Sequence, residues 1–284
     1  MSGRAGRTAT VVVRRVVGPP LVLALTAVLW ATLPVWLVLA ALASPVLPGH
    51  WRALRLFWLA LTYLTCASLL LLVMLGLWLA SGCGWRLRTA YFEGIHYDLV
   101  QGLLWVLDRV GRRVAHLEIR TEGPAPDAHP GQPLLVCSRH AGPGDSFILM
   151  HALMTTYARE PRVVLKDTLR WDPAIDVVLG RLHARFITTD PGPGEDLESQ
   201  IHELATGLDE NDAFVIFPEG GNFTPSRRTR SIERLRARGL HGMAERAEAM
   251  EHVLAPRPGG LLAALDAAPL ADVVWVAHTG LDHM

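Results

Sequence analysis

The chain is 284 residues long, half of them hydrophobic, with 27 basic and 27 acidic side chains and no formal net charge. That balance removes the electrostatic case for a nucleic-acid partner, and the apolar share is high for a soluble protein. Three scattered cysteines, Cys66, Cys83 and Cys137, form no C-x-x-C pair, which argues against a disulfide framework or a thiolate zinc site and fits a reducing cytosol.

The first fifteen residues are polar and basic, with Arg4, Arg7, Arg14 and Arg15. Val16 to Ala43 is then almost wholly apolar, a link with Pro45, Pro48 and Gly49 follows, and Leu56 to Ala80 carries no charge. Each run exceeds the roughly 20 residues that a membrane-crossing helix needs. The first is too long for a signal peptide, and a second follows at once. The pair predicts a helical hairpin, spanning the bilayer or dipping into it with help from Pro34. Arginines flank its outer ends (Arg86, Arg88, Arg109, Arg112 and Arg113 on the far side), while the link holds only Arg52 and Arg55. The positive-inside rule puts both ends in the cytoplasm.

From Trp85 the composition becomes that of an α/β domain. Ile95 to Val110 reads as an amphipathic helix and Val114 to Thr121 alternates like a strand. Leu134 to Ser138 is a short buried strand, followed by a tight turn and a helix over 146–157. Strands are expected at 162–165, 184–188, 213–217 and 272–277. Helices are expected from the Asp172-Pro173 cap to about Leu182, over 195–207, over 231–252 with breaks at Gly239 and Gly242, and over 261–267. Residues 190–194 read as a loop. The alternation predicts a mixed or mostly parallel sheet covered by helices, with ligands at strand ends. The domain division is 1–85 for the hairpin and 86–284 for the α/β domain. Met284 follows the last strand so soon that the domain is expected to be complete only in its core.

Two stretches carry the chemistry. In Ser-Arg-His-Ala-Gly-Pro-Gly-Asp-Ser, the glycines and proline fold the backbone so that His140 and Asp145 can converge. Such a pair suits proton abstraction from a hydroxyl, with Asp145 holding the imidazole in one tautomer. The alternative is that Asp145 or Ser146 merely caps a helix. In Phe217 to Arg228 a buried strand ends in Pro-Glu-Gly-Gly, which lets backbone N–H groups approach a ligand, while Arg227 and Arg228 could grip a phosphate. The alternative is a glycine turn with a satisfied Glu219. The arginine run from Arg227 to Arg238 is either a solvated helix face or an attraction for anionic headgroups. Lys166 is the only lysine among the 27 basic residues, by chance or because the site needs a compact point charge. The other histidines, His278 among them, show no zinc spacing and read as structural or solvent-exposed.

The order of these stretches resembles the glycerophospholipid acyltransferase family. His140, four residues and Asp145 match its first motif, and Phe217, Pro218, Glu219 and Gly220 its third. Gly180, Arg185, Phe186 and Ile187 resemble the second loosely, with Lys166 preceding it, and Val273 to His278 resembles the fourth weakly. The resemblance covers about 114–280. It implies a glycerolipid acyltransferase-like fold, His140 as general base, Asp145 as its orienting partner, and acceptor contacts from Glu219, Gly220, Gly221, Arg185, Arg227, Arg228 and Lys166. Gly221 stands where a threonine is usual, and no arginine follows directly.

The implied activity is a membrane-bound transfer of an acyl group from a coenzyme A or carrier-protein thioester to the hydroxyl of a lysophospholipid, 1-acylglycerol-3-phosphate first. The implied partners are the bilayer, the lyso-lipid acceptor and the thioester donor. No cofactor, metal or acyl-enzyme is expected. Backbone N–H groups around Gly142 to Asp145 are candidates for the oxyanion. The rival readings are a non-catalytic lipid-binding member of the fold, an acyltransferase for another acceptor, and a membrane-attached hydrolase.

Overall fold

The computed structural model describes residues 10–49, 51–123, 129–187 and 196–280. Arg4, Arg7 and the loop expected at 190–194 lie outside them. By its contacts the chain divides into two units, Met1–Gly123 with Lys166–Thr188, and Pro124–Leu165 with Thr189–Met284.

The first unit is built on the apolar helices α1 (Gly18–Ala31), α2 (Leu33–Ala43) and α3 (Arg52–Ala80) and the amphipathic helix α4 (Ala90–Ala115). A π-helical turn, Val13–Val17, leads into α1. Among the described residues two helices, Thr10–Ala31 and Arg52–Ala80, are long and apolar enough to cross a membrane. At about 1.5 Å per residue, the 29 residues of α3 reach well beyond a hydrocarbon core. Most of the exposed large apolar side chains lie between Val11 and Trp85. The first apolar run is not one helix. It breaks at Thr32, whose ψ of 13° ends α1, because Pro34 has no N–H to give and its ring would crowd the preceding turn. A buried polar pair joins α1 to α3: Ser68 Oγ donates to Thr26 Oγ1 (2.8 Å), which donates to Val22 O (2.8 Å).

The later segment of this unit holds α6 (Pro173–Leu179) and β3 (Ala184–Ile187). The Asp172 side chain accepts the N–H groups of Ala174 (2.9 Å) and Ile175 (3.1 Å), as the cap reading requires. Ala174 and Val178 pack on Ala67, Leu70, Leu71 and Met74 of α3. The strand expected at 114–121 is not formed. Helix α4 runs to Ala115, closed by Arg112 and Arg113 in its last turn and by His116 in a left-handed conformation, and the residues after it join no ladder among the described residues.

The second unit is the α/β body. Strands β2 (Glu160–Lys166), β4 (Asp212–Ile216), β1 (Leu134–Ser138) and β5 (Asp272–Val276) lie side by side in that order, and each neighbouring pair is parallel. Helices α5 (Pro143–Thr155), α7 (Leu197–Ala205), α8 (Pro225–Ala237), α9 (His241–Ala249) and α10 (Pro258–Ala267) connect and cover them. The fold class expected from the alternation is therefore the one that forms, with a parallel sheet. Central strands β1 and β4 are buried along their whole length, because parallel strands are covered on both faces. Leu135, Cys137, Phe214 and Ile216 face α7 and α10, and Leu134, Val136, Ala213 and Val215 face α5. Arg162 of β2 grips Asp212 at the start of β4 with two nitrogens, at 2.9 and 2.6 Å.

Candidate active site

Because β1 and β4 are adjacent and parallel, with Cys137 opposite Ile216, their C-terminal ends deliver two loops to one place. The loop after β1 carries His140, and the loop after β4 carries Glu219.

Asp145 is the third residue of α5, and its side chain folds back over the turn. Its carboxylate lies 3.1 and 3.2 Å from His140 Nδ1 and accepts the N–H groups of Ala141 and Gly142, the latter at 3.1 Å. Ser146 Oγ donates to it at 3.2 Å. The pairing with His140 is formed, whereas neither Asp145 nor Ser146 is the N-cap: that is Gly142, and Asp145 reaches back to its N–H from the third helical position. Asp145 is only 4% exposed. Burial alone would raise its pKa. The His140 hydrogen bond and charge and the two backbone N–H groups outweigh that and bring it down to about 2. The carboxylate is thus ionised throughout the neutral range and accepts the His140 Nδ1–H, which leaves Nε2 with its lone pair. The Phe217 ring, 4.5 Å between centroids, packs on the imidazole.

Glu219 is buried and holds main chain rather than a ligand. One oxygen accepts the His140 N–H (3.1 Å) and the other the Leu254 N–H (2.8 Å). Phe223 N–H donates to His140 O at 3.0 Å, so the two loops are stitched along both edges of the histidine. Gly220 has a φ of +68°, which favours glycine, and a β-carbon there would lie 3.2 to 3.4 Å from the Arg257 side chain.

That arginine is the residue the sequence reading missed. The Pro256-Arg257-Pro258 segment reads locally as a helix breaker. In the structure Arg257 N–H donates to Pro218 O (2.8 Å), and its exposed guanidinium lies over Gly220 without a carboxylate partner among the described residues. No local pattern signals this, because the contact joins two segments far apart in the chain.

The other candidates are placed unevenly. Arg228, a phosphate ligand by expectation, is used as a tie: its Nε donates to Met250 O (2.7 Å) and its Nη2 to Glu248 O (2.6 Å), closing α8 onto the end of α9. Arg227 is exposed, donates to Asn222 O at 3.1 Å, and lies 3.2 Å from where a Gly221 β-carbon would stand. Lys166 ends β2 and Arg185 lies on β3, both in the first unit. The Gly142 N–H, a candidate for the oxyanion, is taken by Asp145, and Pro143 has none. The free N–H groups of the first turn of α5 therefore begin at Gly144. Cys137 is fully buried, and that burial pushes its thiol up to about 11, which removes it as a nucleophile. Among the described residues no three His, Cys, Asp or Glu side chains group as a metal site would.

A family model described as Acyltransferase matches residues 116–262, just over half of the chain and including both loops and Arg257. No curated protein and no solved structure matches the chain.

Proposed function

We propose, for a chain that belongs to the acyltransferase family of glycerophospholipid acyltransferases, a membrane-bound transfer of an acyl group from a thioester to a lysophospholipid hydroxyl. Membership itself makes the chain a transferase of lipid metabolism. The observation that carries the finer reading is the buried Asp145 carboxylate on His140 Nδ1, beside a glycine loop with a free guanidinium over it.

The acceptor hydroxyl gives its proton to His140 Nε2 as its oxygen attacks the thioester carbonyl carbon. Asp145 stabilises the imidazolium that forms. N–H groups at the start of α5 stabilise the developing oxyanion. The tetrahedral species collapses, the carbon–sulfur bond breaks, and the thiolate takes the proton from His140. The products are an ester and a free thiol, with no acyl-enzyme. Arg257 holds the anionic head group of the acceptor, of which 1-acylglycerol-3-phosphate is the first to try. The donor is a coenzyme A or carrier-protein thioester.

The two long apolar helices, with their bare and apolar surfaces, support residence in the cell membrane, where both acyl chains are found. The arginines at the outer ends of the hairpin support a cytoplasmic catalytic domain.

The test is thioester-dependent acylation of the lyso-lipid by the purified protein in detergent. His140→Ala lowers turnover by about 10³-fold while the protein stays folded. Wild-type turnover in a folded His140→Ala protein sinks the mechanism. Release of free fatty acid without an acylated acceptor supports hydrolysis instead.

A further inference from the structure

A second imidazole sits on the Asp145 carboxylate. His278 lies two residues beyond β5, outside the stretch matched by the family model. Its Nε2 is 3.4 Å from Asp145 Oδ2 and 3.1 Å from the Arg139 carbonyl oxygen. The segment is pinned there by main chain. Strand β5 pairs with β1 as far as Val276 opposite Ser138, Arg139 N–H donates to Val276 O (3.2 Å), and Arg139 Nη1 donates to His278 O (2.9 Å). Both groups facing Nε2 are acceptors, one a carbonyl and the other an ionised carboxylate, so Nε2 carries a proton. Nδ1 is buried and has no hydrogen-bond partner among the described residues. A solvent-facing or merely capping histidine would have neither arrangement.

We infer that His278 is a positioning residue, whose Nε2–H donates to the Arg139 carbonyl next to the base and sets its positive end 3.4 Å from Asp145 Oδ2. This rests on the acyl-transfer reading only for its kinetic consequences. Asp145 Oδ2 already takes the N–H groups of Ala141 and Gly142, and Oδ1 takes Ser146 Oγ–H. The His278 N–H adds the positive end of a dipole beside Oδ2. Every donor on a carboxylate weakens its pull on the others, so His278 also tempers how strongly Asp145 stabilises the His140 imidazolium. The other charged groups about the pair are Glu219, on the His140 N–H, and Arg139, on the His278 carbonyl, with its guanidinium carbon 6.0 Å from the Phe223 ring centre. Both remain when His278 alone is changed.

Loss of the imidazole therefore releases the Arg139 carbonyl beside the base, loosening the turn that presents His140, and, by removing a positive dipole beside Asp145, raises the proton affinity of His140. His278→Ala lowers kcat on the order of 10-fold with little change in acceptor KM. It also moves the acid limb of the pH–rate profile upward, by about half a pH unit. Gln places an amide N–H close to where Nε2–H was, so His278→Gln brings kcat back to within a few-fold of wild type and restores the limb. A fall in kcat with an unmoved limb, or a Gln variant no better than Ala, overturns the proposal in favour of a structural role.

A second readout needs no turnover. In protein with ¹⁵N-labelled histidine in detergent, the His140 imidazole, identified by its loss in His140→Ala, titrates at higher pH in His278→Ala than in wild type. An unchanged titration overturns the positioning role even if acylation is robust. Conversely, an absent wild-type acylation with a shifted titration counts against the acyl-transfer reading and leaves the His278–Asp145 coupling standing. Should His278→Ala fail to fold, the Gln variant and His278→Asn, whose shorter amide cannot reach the Arg139 carbonyl, provide the comparison.

Discussion

Replacing Asp145 by Asn tests the site through stability and catalysis at once. The carboxyl is depressed from its ordinary 3.8 to about 2. A folded-state value below the unfolded one means that the ionised form stabilises the fold, so the contribution is full above the unfolded value and fades as pH falls through the folded one. The difference is worth about 2.5 kcal/mol above pH 5, of which about 1 kcal/mol is lost by pH 3 and the rest below it. Asn cannot titrate, and its amide N–H₂ must face at least one of the donors from His140, Ala141, Gly142 or Ser146, which costs about 1–3 kcal/mol more. The assay is urea unfolding of wild type and Asp145→Asn in the same detergent, followed by circular dichroism at pH 7, 5 and 3. The gap between the two proteins is unchanged from pH 7 to 5 and narrows by about 1 kcal/mol at pH 3. Turnover of the variant falls by about 10⁴-fold, because the Asn amide no longer selects the tautomer that leaves Nε2 free. A gap that stays constant down to pH 3 refutes the claim that this carboxylate is held ionised by its donors.

Arg257→Ala raises KM for a phosphomonoester acceptor about 10-fold or more and leaves an uncharged monoacylglycerol acceptor nearly unaffected. Equal effects on both acceptors would remove Arg257 from head-group recognition. Glu219→Gln turns one of its two acceptor oxygens into a donor facing either His140 N–H or Leu254 N–H. It therefore lowers stability by about 1–3 kcal/mol and kcat together, and unchanged thermal unfolding would count against it.

Strand β1 is readable to the residue, because four apolar residues and Ser138, set off by Pro133 and by the glycine turn, admit few other folds. Asp172-Pro173 announced its helix for a local reason as well, a cap followed by a proline. The same signal stands at Thr224-Pro225, where the glycine-rich motif masks it. The helix expected from Ser231 opens at Pro225, with Thr224 Oγ1 accepting the Arg227 N–H. The false strand at 114–121 shows the limit of alternation, because a ladder needs a neighbour that periodicity cannot supply. His140 and Asp145 were legible because one turn joins them. Arg228, Arg257 and His278 were not, since each is defined by a contact with a distant segment: carbonyls of α9 and its end, the turn at Gly220, and the first turn of α5.

Glu219 has one further consequence. Its two oxygens tie the loop that bears the base to Leu254, and Arg257 hangs from Glu219's own loop by a bond to Pro218 O. On the proposed reading the base and the head-group cation therefore belong to separate stretches of chain joined through the loop of Glu219. Residues 250–258 can then be exchanged as a cassette, retuning which acceptor is chosen while the proton-transfer machinery on β1 and α5 stays as it is.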